Sequence, residues 1–237
     1  MSDSKAIELI AFDADDTLWH SENLYAAAQE QFAQLMAAYV NSDEALAALH
    51  EKEVRNLSLY GYGVKAFVLS MIEAAIDLGH EQLTSGQVAA LLATGKDMLA
   101  AEVHLLDGVE EAVAALAADF PLMVITKGDL GHQASKLDRS GLARYFRYVE
   151  IVTDKTDEVY QQLFAKHGLD PARVLMVGNS LKSDIIPVLR LGGWGVFVPY
   201  RILWSHEHAD LPSALAGRFR EIERLEALPT LVRDISV

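Results

Sequence analysis

Ile7-Glu8-Leu9-Ile10-Ala11-Phe12 runs straight into Asp13-Ala14-Asp15-Asp16-Thr17, and that junction decides the fold. An almost continuously apolar run that stops at a polar cluster reads as a strand buried on both faces of a parallel sheet, with functional residues at its C-terminal end. Similar runs recur at Pro121 to Ile125, Tyr148 to Val152, Val174 to Val177 and Trp194 to Val198, with helix-like segments between most of them. Asp107-Gly108 opens one such helix, with Val109, Val113 and Leu116 at helical spacing. Another carries Val159, Tyr160, Leu163 and Phe164 and ends before Gly168. This alternation predicts an α/β protein with a doubly wound parallel sheet.

Between Trp19 and His104 the rhythm breaks. The segment is rich in Ala, Leu, Glu and Gln and has no convincing β-branched run. Ala26 to Val40, Asp43 to Leu57, Val64 to Leu78 and Ser85 to Val103 each read as helices, which predicts an all-helical domain inserted after the first strand. The expected division is a catalytic core of residues 1–18 and 104–237 and a helical domain of residues 19–103. Tyr60-Gly61-Tyr62-Gly63 joins two of the inserted helices. Beyond Trp204 the sequence gives only a loop and one helix around Arg218 to Leu228.

With 34 acidic against 20 basic residues the chain carries a formal charge of −14, which argues against nucleic acid or an anionic membrane as partner. The absence of Cys excludes disulfides, thiolate metal sites and cysteine nucleophiles. The start MSDSKAIELIAFD lacks the basic leader and long apolar segment of an export signal, and no uncharged apolar stretch of about 18 residues follows. A soluble cytoplasmic protein, monomer or homodimer, is the expectation.

Side chains two apart at a strand end point to the same face, so Asp13 and Asp15 can converge on one site as two carboxylates with separate roles. One can attack phosphorus while the other handles protons, provided a cation suppresses their repulsion. Read alone, the pair is better taken as a solvated acidic turn after a strand, and the other motifs reverse that. Thr126 and Lys127 end another apolar strand, where an open α/β sheet binds ligands. Thr126 could donate to a phosphoryl oxygen, and Lys127 reads as a solvated lysine. Lys155, before an amphipathic helix, could bring a positive charge to both carboxylates. Lys136 and Lys166 fall inside helices, on what read as solvated faces. Gly178-Asn179-Ser180-Leu181-Lys182-Ser183-Asp184 places an amide and a carboxylate five residues apart after a strand, oxygen groups that suit a hard cation such as Mg²⁺. Pro187 fits the first turn of the next helix.

Four sites in this order resemble the haloacid dehalogenase-like (HAD) superfamily: D-A-D-D-T, V-I-T, Lys155 and V-G-N-S-L-K-S-D. The resemblance covers residues 1 to 18 and 104 to 200 and implies a Rossmann-like core, with the insertion as a helical cap of the first type. It implies Asp13 as nucleophile, Asp15 as acid/base, and Thr126 and Lys155 as the phosphoryl-binding hydroxyl and lysine. Mg²⁺ would be held by Asp13, Asp184 and the backbone carbonyl of Asp15, with Asn179 as a further candidate ligand. The final motif usually begins Gly-Asp and here reads Gly178-Asn179, one negative charge fewer near the metal.

An acid at position 15 separates chemistries, because a phosphatase or phosphomutase needs one to protonate the leaving alkoxide whereas the dehalogenases lack it. The expectation is a Mg²⁺-dependent phosphatase acting on a small phosphorylated metabolite through an aspartyl-phosphate. A phosphomutase of the same superfamily and a non-catalytic phosphate-ligand-binding protein are the alternatives. Substrate contacts are expected from Tyr60 and Tyr62, whose other reading is interhelical packing.

Overall fold

The computed structural model describes residues 7–236. In chain order, strand β1 (Leu9–Phe12) is followed by helices α1 (Glu22–Met36), α2 (Ser42–Tyr60), α3 (Val64–Gly79) and α4 (Ser85–Ala100). Then come α5 (Val109–Ala117), β2 (Leu122–Lys127), α6 (Leu130–Arg139), β3 (Phe146–Val152), α7 (Asp157–Lys166) and β4 (Val174–Gly178). The chain ends with α8 (Ile186–Arg190), β5 (Trp194–Phe197), β6 (Phe219–Glu221) and α9 (Leu228–Ser236). The six strands form one parallel sheet in the order β3-β2-β1-β4-β5-β6. This is the doubly wound arrangement that the alternation predicted, and its strand order reverses between β1 and β4, where such sheets bind ligands.

The period of two along each strand explains why both faces are covered. Ile10 and Phe12 of β1, Leu122 and Val124 of β2, and Leu175 and Val177 of β4 pack with Val109, Val113 and Leu116 of α5, Leu137 of α6 and Val232 of α9. The alternate residues Leu9, Ala11, Met123, Ile125, Val174 and Met176 pack with Tyr160, Leu163 and Phe164 of α7 and Val188 of α8. All four residues of β1 are fully buried, as its near-continuous apolar run demands.

The chain divides into two compact units. One takes in the chain up to His20, Val103–Lys127 and everything from Gln133 onward; the other takes in Ser21–Glu102 and Gly128–His132. The second unit has its own core, with Phe32 and Met36 of α1, Ala45 and Leu49 of α2, Phe67, Val68 and Met71 of α3, and Leu91 and Met98 of α4. Two of its helix starts are encoded locally by side-chain caps. Asn41 caps α2 by accepting from the Glu44 N–H at 2.9 Å, and Thr84 with Gln87 forms a reciprocal capping box on α4. In the turn between α2 and α3, Gly61 and Gly63 take φ of 71° and 112°, a region closed to most side chains. Among the described residues no helix is long and apolar enough to cross a membrane.

Two expectations are corrected. Helix α1 starts and ends four residues earlier than its alanine-rich stretch suggests, with Glu22 placed favourably in its first turn. The helix expected around Arg218 to Leu228 is instead the edge strand β6, paired with β5 from Gly195↔Phe219 to Phe197↔Glu221, followed by a short 3₁₀ turn; α9 only begins at Leu228. Pairing to an open sheet edge outweighs the helical preference of an Arg/Glu-rich stretch.

Two glycines of α4 make opposite predictions. A Cβ at Gly95 would collide with Val68, itself buried, so Gly95→Ala should destabilise the protein by about 1–3 kcal/mol. Gly86 faces open space except for the Thr84 hydroxyl at 3.8 Å, so Gly86→Ala should stabilise by up to about 1 kcal/mol. Thermal or urea unfolding of the two variants reads both signs.

Candidate active site

The turn after β1 places two carboxylates in different surroundings. The strand stops at Phe12, and the chain closes tightly: the Leu18 N–H donates to the Ala14 carbonyl at 2.8 Å and the Asp16 N–H to the Trp19 carbonyl at 2.7 Å. Asp16 takes a left-handed φ of 62°, which Asp tolerates better than most residues. Asp13 therefore keeps the strand direction, while Asp15 sits on a turn that is bridged to Trp19.

Asp13 is buried against Lys155. The ammonium donates to Asp13 Oδ1 at 2.5 Å and to Asp184 Oδ1 at 2.7 Å, and Lys155 and Asp184 are only 4% and 1% exposed. Lys155 precedes Thr156, which caps α7 through the Val159 N–H. Asp184 lies in a wide π-type turn, Leu181–Ile185, ahead of α8, with Pro187 in the first turn of that helix. Its Oδ2 accepts from the Ser180 N–H at 3.0 Å, so Asp184 is no ordinary helix-start acid. A Cβ at Gly178 would overlap the Asp184 carboxylate, which is why glycine ends β4.

One ammonium shared by two buried carboxylates leaves negative charge uncompensated. Burial pushes the Asp13 carboxyl up to about 7; Lys155 opposes the rise and the Asp184 carboxylate adds to it. Lys155 is held well above its usual value, burial being outweighed by the charges of Asp13 and Asp184. Thr17 Oγ1 lies 3.1 Å from Asp13 Oδ2 and 3.3 Å from Asn179 Oδ1, and its single proton serves only one of them at a time. Carboxylate and amide oxygens therefore remain with acceptor capacity beside excess negative charge. That set fits Mg²⁺, which takes one or two carboxylates and keeps waters. Among the described residues no metal-binding group of three or more His, Asp and Glu side chains exists, and a magnesium site does not need one.

Asp15 is held by a separate set of donors. Trp19 Nε1 and Lys136 Nζ donate to its Oδ1 at 2.6 and 2.5 Å, and Gln133 Nε2 donates to its Oδ2 at 2.9 Å. Burial raises its pKa, but the Lys136 charge and the three donors outweigh burial and hold it below the usual carboxylate value. Thr126, at the end of β2 and 3% exposed, accepts from the same Gln133 amide at 2.9 Å.

Lys136 and Lys127 correct the sequence reading, which gave both to solvent. Lys136 is 9% exposed and paired with Asp15. Lys127 donates to Ser183 Oγ at 2.9 Å and to Glu207 at 2.7 Å. Glu207, which the sequence reading missed, also accepts from Ser180 Oγ at 2.7 Å and Ser183 Oγ at 2.5 Å. It ties the loop after β5 to the turn that carries Asp184. Gln133 was missed as well, although its spacing of three from Lys136 on a helix was a usable signal. Tyr60 and Tyr62 belong to the helical unit. There the Tyr60 hydroxyl donates to Glu73 at 2.8 Å, and Asn56 also donates to Glu73.

Burial alone would raise the Glu207 pKa, but the Lys127 charge and the hydrogen bonds from Lys127, Ser183 and Ser180 bring it down to about 2 from 4.5. A depressed folded-state value contributes stability that is present above the unfolded value of 4.5 and lost as pH falls toward about 2. Glu207→Gln should therefore cost about 2–4 kcal/mol near pH 7, and the gap from the parent should narrow as pH falls below about 4.5. Urea unfolding of both proteins across that range tests this.

The model of the family described as haloacid dehalogenase-like hydrolase matches residues 7–192. None of the curated proteins compared with the chain matches it. Among solved structures, a haloacid dehalogenase-like family hydrolase from Xanthomonas campestris is 39% identical, over 99% of this chain and 94% of its own, with a TM-score of 0.86. A HAD phosphatase from Thermococcus onnurineus is 20% identical over 98% of this chain and 100% of its own, TM-score 0.63. L-2-haloacid dehalogenase from Xanthobacter autotrophicus is 16% identical over 96% and 98%, TM-score 0.63. The last two likenesses speak to the fold alone, and one bears the name of a phosphatase and the other of a dehalogenase. The match over residues 7–192 together with the Xanthomonas likeness establishes that this chain belongs to the haloacid dehalogenase-like hydrolases.

Proposed function

We propose that this hydrolase is a Mg²⁺-dependent phosphatase of a small phosphorylated metabolite in the cytoplasm, working through an aspartyl-phosphate on Asp13. The observation that carries the reading is the pair of carboxylates two residues apart with separate partners, Asp13 on Lys155 and Asp15 on Lys136, Gln133 and Trp19. A dehalogenating site has no use for the second acid, whereas cleavage of a phosphate monoester needs a proton for the leaving oxygen.

In the first step an Asp13 carboxylate oxygen attacks phosphorus, the bond to the leaving oxygen breaks, and that oxygen takes a proton from Asp15. In the second, Asp15 removes a proton from water, the resulting hydroxide attacks phosphorus, and the bond to Asp13 breaks to release phosphate. Asp15 is held as a carboxylate, the form the second step requires. The first step requires it to gain a proton, which the negative charge of an arriving phosphate favours. Thr126 and Lys155 position and neutralise the transferring group. Mg²⁺, held by Asp13, Asp184, the Asp15 carbonyl and Asn179 directly or through water, would supply charge neutralisation at the phosphoryl oxygens. Substrate choice is assigned to Tyr60 and Tyr62, where glycines give the backbone freedom and tyrosines offer contact area.

Asp13→Asn should fold normally and retain no more than a few per cent of turnover, since an amide cannot form the acyl phosphate. A screen of phosphorylated metabolites and p-nitrophenyl phosphate, read as released phosphate, supplies the assay. EDTA should abolish activity. Asp184→Ala should damage activity more than Asn179→Ala, because a charged ligand offsets dehydration of the metal more strongly than a neutral amide. Asn179→Asp should lower the Mg²⁺ concentration for half-maximal rate; full activity in EDTA would sink the metal assignment.

A further inference from the structure

Helix α6 presents two side chains one turn apart to the carboxylate of Asp15. Lys136 Nζ reaches Oδ1 at 2.5 Å and Gln133 Nε2 reaches Oδ2 at 2.9 Å, with Trp19 Nε1 completing the set on Oδ1 at 2.6 Å. An aspartate has two side-chain torsions, and donors fixed on both oxygens leave it neither free. These donors come from outside the β1 turn except for Trp19, so the orientation of Asp15 is imposed chiefly by α6. Burying an ammonium to 9% exposure is costly without a paired anion, and Asp15 is the anion in its ion pair.

Gln133 adds an independent observation. It is 4% exposed; its Nε2 lies within reach of Asp15 Oδ2, Thr126 Oγ1 at 2.9 Å and the Lys127 carbonyl at 2.6 Å, while its Oε1 is buried and accepts no hydrogen bond. A buried acceptor left without a donor carries a desolvation cost. An amide that served only to fill the core would not carry that cost. Its orientation is fixed by acceptors on the N–H side, the carboxylate of Asp15 and the last carbonyl of β2. The same amide thus links the turn after β1 to the hydroxyl at the end of β2.

We infer that Lys136, supported by Gln133, is a positioning residue that holds Asp15 where it exchanges a proton with the leaving oxygen. The inference rests on the phosphatase reading. Neither residue touches substrate; each acts through the Asp15 carboxylate. A displaced Asp15 leaves phosphoryl transfer to Asp13 possible when the leaving group departs well as an anion, and cripples it when the leaving oxygen needs a proton.

The test is a series of aryl phosphates from p-nitrophenyl phosphate to phenyl phosphate, with kcat/KM reporting the attack on Asp13 and therefore the step in which the leaving oxygen is protonated. Lys136→Met should lose about a hundredfold on phenyl phosphate and only about threefold on p-nitrophenyl phosphate. Lys136→Arg, which keeps a charged donor, should recover most of the difference. Gln133→Met should steepen the leaving-group dependence in the same direction by a smaller factor, and it and Lys136→Arg carry the test if Lys136→Met does not fold. A merely structural role lowers all members of the series by one factor, together with the melting temperature, and that outcome would overturn the inference. A parent protein that releases no phosphate from any member at saturating Mg²⁺ would instead overturn the phosphatase reading, and this inference with it.

Discussion

The Lys155 ammonium, buried between the carboxylates of Asp13 and Asp184, is the contact on which the rest of the site depends. Three separate stretches of chain meet there: the end of β1, the segment between β3 and α7, and the π-type turn after β4. A buried ion pair is not a strong source of stability, because desolvation cancels much of the attraction. What it does impose is placement, since removing the ammonium would leave two buried carboxylates uncompensated. The sheet can close only with these strand ends in register, and β1 pairs with β4 from Leu9↔Val174 to Phe12↔Val177 to put them there. Asp13 thus stands at the order reversal between β1 and β4, where doubly wound sheets bind ligands.

Around that contact the charges are apportioned rather than pooled. Lys155 serves Asp13 and Asp184, Lys136 serves Asp15, and Lys127 serves Glu207. The four carboxylates exceed the three ammonium groups by one charge, and the excess falls where Asp13 and Asp184 share a single lysine. Burial, with the Asp184 charge adding to it against the pull of Lys155, raises the Asp13 carboxyl there. The pair at Asp15 has no such excess. The site thus divides into a half with an uncompensated carboxylate charge and a half that is balanced by protein groups.

Much of this was legible in the sequence because it is local. A buried parallel strand must be apolar throughout, so its polar end stands out, and D-A-D-D-T, the threonine after V-I and the glycine turn into N-S-L-K-S-D each mark such an end. Of the inserted helices, α2 and α4 carry their own side-chain caps. The groups that were not legible act across long separations. Lys136 lies 121 positions from Asp15, and Glu207 lies 80 positions from Lys127. A helical lysine is normally solvated, and only the approach of α6 to the β1 turn makes this one structural. Strand β6 was hidden for the same reason, being three residues long and stabilised by its neighbour rather than by its own composition.

Asn179 follows from the same division of charge. Its side-chain oxygen lies within reach of the Thr17 hydroxyl, which also faces Asp13. A carboxylate at this position would set a third anion near Asp13, where, among the described residues, Lys155 is the ammonium bonded to Asp13 and Asp184. Bound Mg²⁺ would offset it, but the metal-free protein would carry the added repulsion. With an amide the site keeps an oxygen within reach of Thr17 and avoids that repulsion. The neutral residue therefore spares Asp13 that added repulsion, and Lys155 remains the ammonium that places it.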